Sequence, residues 1–100
     1  MQTHAPLREQ EVGVITHYWS DLGVAGVHLT EPLDAGDHIH VLGHTSDFEQ
    51  SVGSMEIEHH RIAHANPGDD VGIRVAEHAR EHDHVYRLFA SDSGGPGMEI

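Results

Sequence analysis

The sequence predicts an all-β domain, a small closed six-stranded β-barrel, and three observations lead there. Short runs alternate apolar and polar residues with period two. Turn residues separate those runs at roughly 8–12-residue spacing, as in sandwiches and barrels. Helical periodicity is nearly absent. At 100 residues the chain has room for one domain and one core. The expected organisation is a flexible N-terminal arm over 1–10, the barrel over 11–89, and a flexible C-terminal tail over 90–100.

The arm is polar and has no period. Gly13 to Trp19 is rich in β-branched and aromatic residues and opens the strands. Ser20-Asp21-Leu22-Gly23 is a turn by composition. From Val24 to Thr30, Ala25, Val27 and Leu29 alternate with Gly26 and His28, the mark of a half-buried strand. Leu33 sits in a short loop closed by Ala35-Gly36-Asp37. In His38 to Gly43, Ile39 and Val41 share one face and His38 and His40 the other. Phe48 to Glu58 reads as one long strand whose apolar phase shifts, so a β-bulge is expected at Gly53-Ser54. Asn66-Pro67-Gly68-Asp69 is a strong turn, followed by Val71, Ile73 and Val75 in alternation. Glu77 to Glu81 reads as one helical turn or an irregular loop, and Val85 to Phe89 as the last strand.

Composition removes several chemistries. With no lysine there is no phosphate-binding GxxxxGK[ST] loop and no Schiff-base lysine. With no cysteine there is no disulfide, thiolate nucleophile or Cys-ligated metal. The formal charge of −12 opposes phosphate backbones, and the five arginines (Arg8, Arg61, Arg74, Arg80, Arg87) are scattered. Long-tract DNA is therefore not an expected partner. Neither a secretory signal nor a membrane-length apolar run is present, so a cytoplasmic protein without membrane contact is expected. Twelve histidines titrating near a pKa of ~6.5 can offset the negative charge, which predicts steep pH dependence of solubility between neutral and mildly acidic pH.

A family resemblance rests on three ordered pieces. They are Leu33-x-x-Gly36-Asp37-x-Ile39-x-Val41-x-Gly43, then Val52-x-Ser54-Met55, then Ala65-x-x-Gly68-Asp69-x-Val71-Gly72-Ile73. Together they resemble domain 2 of elongation factor Tu, the barrel shared by translational GTPases, from about Gly13 to Leu88. The GTPase domain is missing. The resemblance thus implies a translation elongation factor-like binding module contacting a ribosome, a tRNA end or a translation-associated protein. A similar barrel ends collagenase-like peptidases, which include tRNA-modifying enzymes. The alternative is therefore a protein-interaction subunit of a larger peptidase-like or tRNA-modifying enzyme, and −12 favours a basic protein partner for it.

The candidate binding residues are Tyr18, Trp19, His44, Thr45 and Asp47. Aromatic rings beside polar groups stack on bases or anchor protein contacts. Here Tyr18 and Trp19 would stack, His44 and Thr45 would donate or accept hydrogen bonds, and Asp47 would order its loop. The bland account of these residues is barrel-end capping and turn formation. Neither GxSxG nor HExxH occurs, so no catalytic residue and no cofactor are expected. The histidine groups His38/His40, His59/His60/His64 and His78/His82/His84 suggest a third reading, a small metal-binding protein. Their i,i+4 spacings suit a metal only on a helix, so no metal ligand is assigned.

Overall fold

The computed structural model describes residues 7–90. Ten strands run in order: β1 Leu7–Trp19, β2 Val24–Leu29, β3 Leu33–Asp34, β4 His38–Leu42, β5 Asp47–Ser51, β6 Met55–Ile57, β7 His60–Ile62, β8 His64–Ala65, β9 Asp70–Arg74 and β10 His84–Ala90. No helix occurs among the described residues. The all-β expectation holds, but the closed six-stranded barrel does not. Eight strands form one antiparallel sheet in the order β5-β4-β10-β1-β2-β9-β6-β7, and β3 with β8 form a separate pair. The sheet curls without a ladder joining its two edges.

β1 makes the curl. Its first half pairs with β10 and its second half with β2. The register slips between Glu11 and Gly13 on one side and between Ile15 and His17 on the other. An unpaired residue on one strand bends it and increases its twist, so two bulges in 13 residues turn the sheet around its own core. That core collects Val12, Ile15, Val27, Leu29, Leu33, Ile39, Val41, Val52, Met55, Ile73 and Val85, all essentially inaccessible.

Where the two flanks of the sheet approach, one side chain spans the gap. Gln50 on β5 donates through Nε2 to the Arg74 carbonyl (2.9 Å) and accepts at Oε1 from the Ala76 N–H (2.7 Å). A primary amide has two N–H donors and an acceptor oxygen; one donor and the oxygen here stand in for a missing ladder rung, while the second donor reaches the Ser51 carbonyl. Gln50→Ala should lower stability by about 1 kcal/mol, the net of these solvent-accessible hydrogen bonds, measured by urea denaturation.

Three further boundaries differ from the expectation. Leu7 to Gln10, expected in the arm, belong to β1, paired with Ala90 to Arg87, and the last strand reaches Ala90. The rest of the expected arm, 1–6, and 91–100 of the expected tail lie outside the described residues. The Phe48–Glu58 strand is two strands with no bulge between them: the chain leaves β4 after Ser51 and joins β9 at Met55. The phase shift in that segment records this crossing, with Val52 and Met55 both buried. Glu77 to Glu81 is irregular, while Asn66–Asp69 is the expected turn, with Gly68 at φ +92° and the Asp69 N–H bonded to the Asn66 carbonyl.

Candidate functional site: a glycine-floored groove with an acidic rim

Trp19 ends β1 with its side chain on the outer face of the sheet, 42% exposed. Its indole lies over Gly26 of β2: a Cβ built on Gly26 would sit 3.2 Å from Cζ3 and 3.3 Å from Cη2. Gly26 pairs with Gly72 of β9, and Gly72 with Glu56 of β6. Cross-strand partners share a face, so two side-chain-free positions adjoin on the outer surface and lead to a carboxylate. The result is a half-open groove of about 550 Å³. Its apolar end is Trp19, Leu22 and Val24; its other end is Glu56, Glu58, His59 and Asp70.

Leu22 is 57% exposed in the turn after β1, which is closed by Leu22 and Gly23 N–H bonds to the Trp19 carbonyl. Arg74 donates through Nη1 to the Leu22 carbonyl and so fixes that turn against β9 (3.2 Å). His17, two residues before Trp19, packs against the indole in a tilted arrangement, with centroids 4.4 Å apart and planes at 60°. Among the described residues, Glu56 and Glu58 make no side-chain hydrogen bond or ion pair, whereas Asp70 is held by His28 at 2.8 Å.

The far rim is strained. Ile57 and His60 pair across a two-residue hairpin whose central residues, Glu58 and His59, have φ +50° and +69°. Positive φ at both centres is what a type I′ turn demands, and Asn-Gly normally supplies it. Glu and His at these positions cost about 1–3 kcal/mol each, a cost that clusters at binding sites.

The five residues predicted as a site lie at two places, the end of β1 and the β4–β5 hairpin. Trp19 lines the groove. Tyr18 points to the opposite face, half-buried against the core and against His78, with ring centroids 4.4 Å apart. His44 and Thr45 are exposed at the tip of the β4–β5 hairpin, where the Gly43 N–H bonds to the Ser46 carbonyl. β10 lies between β4 and β1, the strand that carries Trp19, and no hydrogen bond or ion pair among the described residues links this tip to Trp19. Asp47 is bound to His40 on the neighbouring strand, so it ties β5 to β4 rather than ordering its own loop. The groove floor escaped sequence reading because glycine in a strand reads as weakness. The signal available was the pair Gly26 and Gly72, each inside an alternating strand.

The histidines have a structural occupation. His17, His28, His38, His40, His64 and His84 each face a carboxylate across or beside their strand. No group of three or more His, Asp or Glu side chains among the described residues is placed to hold a metal ion. Ser51, His38 and Glu49 fall in line, but at 3.4 and 3.8 Å the second gap exceeds hydrogen-bond reach, so the carboxylate does not hold the imidazole.

His40 is the most enclosed of the six, its side chain 11% exposed between Glu9 (2.9 Å) and Asp47 (2.6 Å). Burial lowers its pKa, but hydrogen bonds to Asp47 and Glu9 outweigh that and leave it above the ordinary 6.5. His64 is raised too, chiefly by its hydrogen bond to Asp34. A raised folded-state pKa means stabilisation complete below the unfolded value and lost as pH rises through the folded one. The melting-temperature difference between the wild type and His40→Asn should accordingly be largest near pH 5.5 and shrink toward pH 8.5. A difference that grows with pH would contradict the clamp.

Comparison with known proteins changes the family reading. No protein-family model matches the chain. A protein of Methanocaldococcus jannaschii described as an uncharacterized protease is 34% identical over 82 residues, covering 81% of this chain and 20% of that protein. The chain therefore spans about a fifth of its relative's length. Two crystal structures of the C-terminal domain of a Geobacillus thermoleovorans protein named as a U32 peptidase superpose with TM-scores of 0.73 and 0.72. Both are 19% identical, covering 76% of this chain and 96% and 89% of theirs, so they establish the fold. This chain is similar to part of a peptidase-like protein.

The elongation-factor resemblance is overturned by these matches, and with it the expectation of a translation role and RNA binding. Its motifs were turns and inward-facing positions. Gly36 and Gly68 take φ +95° and +92° as any tight turn between strands requires, and such positions specify a β-fold rather than an activity. The expectation of a chain without enzymatic activity now stands beside relatives named as a protease and a peptidase.

Proposed function

We propose that this chain is a protein-docking domain that works with a peptidase-like enzyme and carries no catalytic centre itself. The observation behind the reading is the 34% identity over 82 residues to a fifth of a protein described as a protease. The likeness to a C-terminal domain of a U32 peptidase supports it. In the fold, the accessible feature suited to docking is the groove between Trp19 and Glu56. Exposed aromatic side chains in a concave, partly apolar setting are frequent anchors of protein contacts.

The test is capture of the tagged chain at native level, identification of what it binds, and reassembly from purified components. A peptidase-like protein that rebinds the purified chain, with no peptide hydrolysis by the chain alone, is the expected result. Hydrolysis by the isolated chain, or a set of partners without a peptidase-like protein, would overturn the reading.

A further inference from the structure

We propose that the groove takes a basic segment of a polypeptide, seating an arginine or lysine side chain between the Trp19 indole and the carboxylates of Glu56 and Glu58. The inference rests on the docking reading and names the chemistry of the docked segment.

Four features of the groove converge on that occupant. An extended chain needs a floor without side chains: Gly26 is covered by the Trp19 indole, and its cross-strand partner Gly72, half-buried, leaves the floor open between that indole and Glu56. A cation is attracted by an indole face, most strongly once partly desolvated. Trp19 is already 42% exposed and held in place by its contact with Gly26 and its tilted contact with His17. Glu56 lies opposite Arg61 across the β6–β7 pair without forming an ion pair with it, and Glu58 makes no side-chain hydrogen bond or ion pair among the described residues, in contrast to Asp70 and the other carboxylates paired with histidine. The exposed Leu22 and the half-buried Val24 extend the apolar end, which suits the methylene stem of a long basic side chain or an apolar neighbour in the segment. Charge on the wider surface agrees: at −12, the chain attracts basic segments and repels acidic ones.

The rim geometry adds a separate argument. A hairpin built with Asn-Gly would be less strained, yet it would remove the Glu58 carboxylate from the groove. Holding Glu58 and His59 at positive φ keeps a carboxylate and an imidazole on the rim at a cost in stability.

Trp19 is the single tryptophan, so its fluorescence reports directly on the groove. The full chain is titrated with a blocked Ala-Arg-Leu-Arg-Ala peptide and with its Ala-Glu-Leu-Glu-Ala counterpart. A saturable change with the basic peptide, absent with the acidic one, is expected. Glu56→Gln combined with Glu58→Gln should weaken binding roughly fivefold or more, in line with a partly desolvated cation site. Gly72→Val should do the same by filling the floor; a Cβ there meets only Val24 Cγ1, at 3.4 Å, so the strand itself is preserved. Glu31→Gln combined with Glu77→Gln removes the same charge outside the groove and should leave affinity unchanged.

Equal binding of the acidic peptide, or equal weakening by the outside pair, overturns the proposal. The two readings separate cleanly. If Gly72→Val abolishes capture of the peptidase-like partner while the basic peptide never binds, docking stands and the basic specificity falls. If the basic peptide binds in the groove but no peptidase-like partner is found, the reverse holds.

Discussion

Ile15→Ala should destabilise the domain by about 2–5 kcal/mol, the range for truncating a fully buried isoleucine. That is a large part of the 5–15 kcal/mol that usually separates folded from unfolded domains, so the variant should be partly unfolded at 37 °C. Ile15 is 1% exposed and sits between the two bulges of β1. Its backbone pairs with the irregular segment before β10: its N–H donates to the Asp83 carbonyl, and its carbonyl accepts from the His82 N–H. The isoleucine side chain and this backbone anchor therefore fix β1 and the 82–83 segment against one core. The site has little room to collapse, since a bulge on each side already departs from regular pairing, which puts the cost in the upper part of the range. Ile15→Val removes one methylene and should cost about 0.5–1.5 kcal/mol. Urea denaturation of the three proteins checks the order, and equal midpoints for Ile15→Ala and the wild type would contradict the core assignment.

The fold was legible in sequence to the extent that side chains obey period two. Ile39 and Val41, Val71 and Ile73, and Val27 and Leu29 all point inward as their alternation requires. β7 and β8 were not legible, because His60, Arg61 and His64 are exposed edge residues with no apolar alternation to mark them. Closure was also beyond reach. Period two states which face a strand buries, but not which strand lies beside it, and the step from β5 to β6 across the sheet depends on that neighbour relation. The same limit governs the site. Trp19 stood out by residue type, while Gly26, Gly72 and Glu56 come together only through the register of β2, β9 and β6. His44 and Thr45 looked similar to Trp19 chemically, yet they tip another hairpin. Glu58-His59 lacks the usual turn residues, so a tight hairpin there had no sequence signal at all.

That hairpin carries an expectation of opposite sign for stability and binding. Glu58→Asn with His59→Gly should stabilise the domain by about 1–3 kcal/mol, because asparagine tolerates and glycine prefers the positive φ that both positions hold. The gain is reduced by the extra freedom glycine brings to the unfolded chain, roughly 0.5–1 kcal/mol. The register of Ile57 with His60 and of Met55 with Ile62 should survive, since a relaxed turn of the same length keeps the pairing. The same variant removes one of the two unpaired carboxylates facing Trp19, so it should bind the basic peptide more weakly than wild type while melting at a higher temperature. Glu58→Gln alone separates the causes: it keeps the strained backbone and loses the charge, so it should weaken binding with no stability gain. A double variant that melts higher and binds as well as wild type would mean that Glu58 does not contribute to recognition, leaving Glu56 to supply the charge. One that melts lower would mean that the Glu58 and His59 side chains make stabilising contacts outweighing the backbone strain, and the strain argument for the rim would fail.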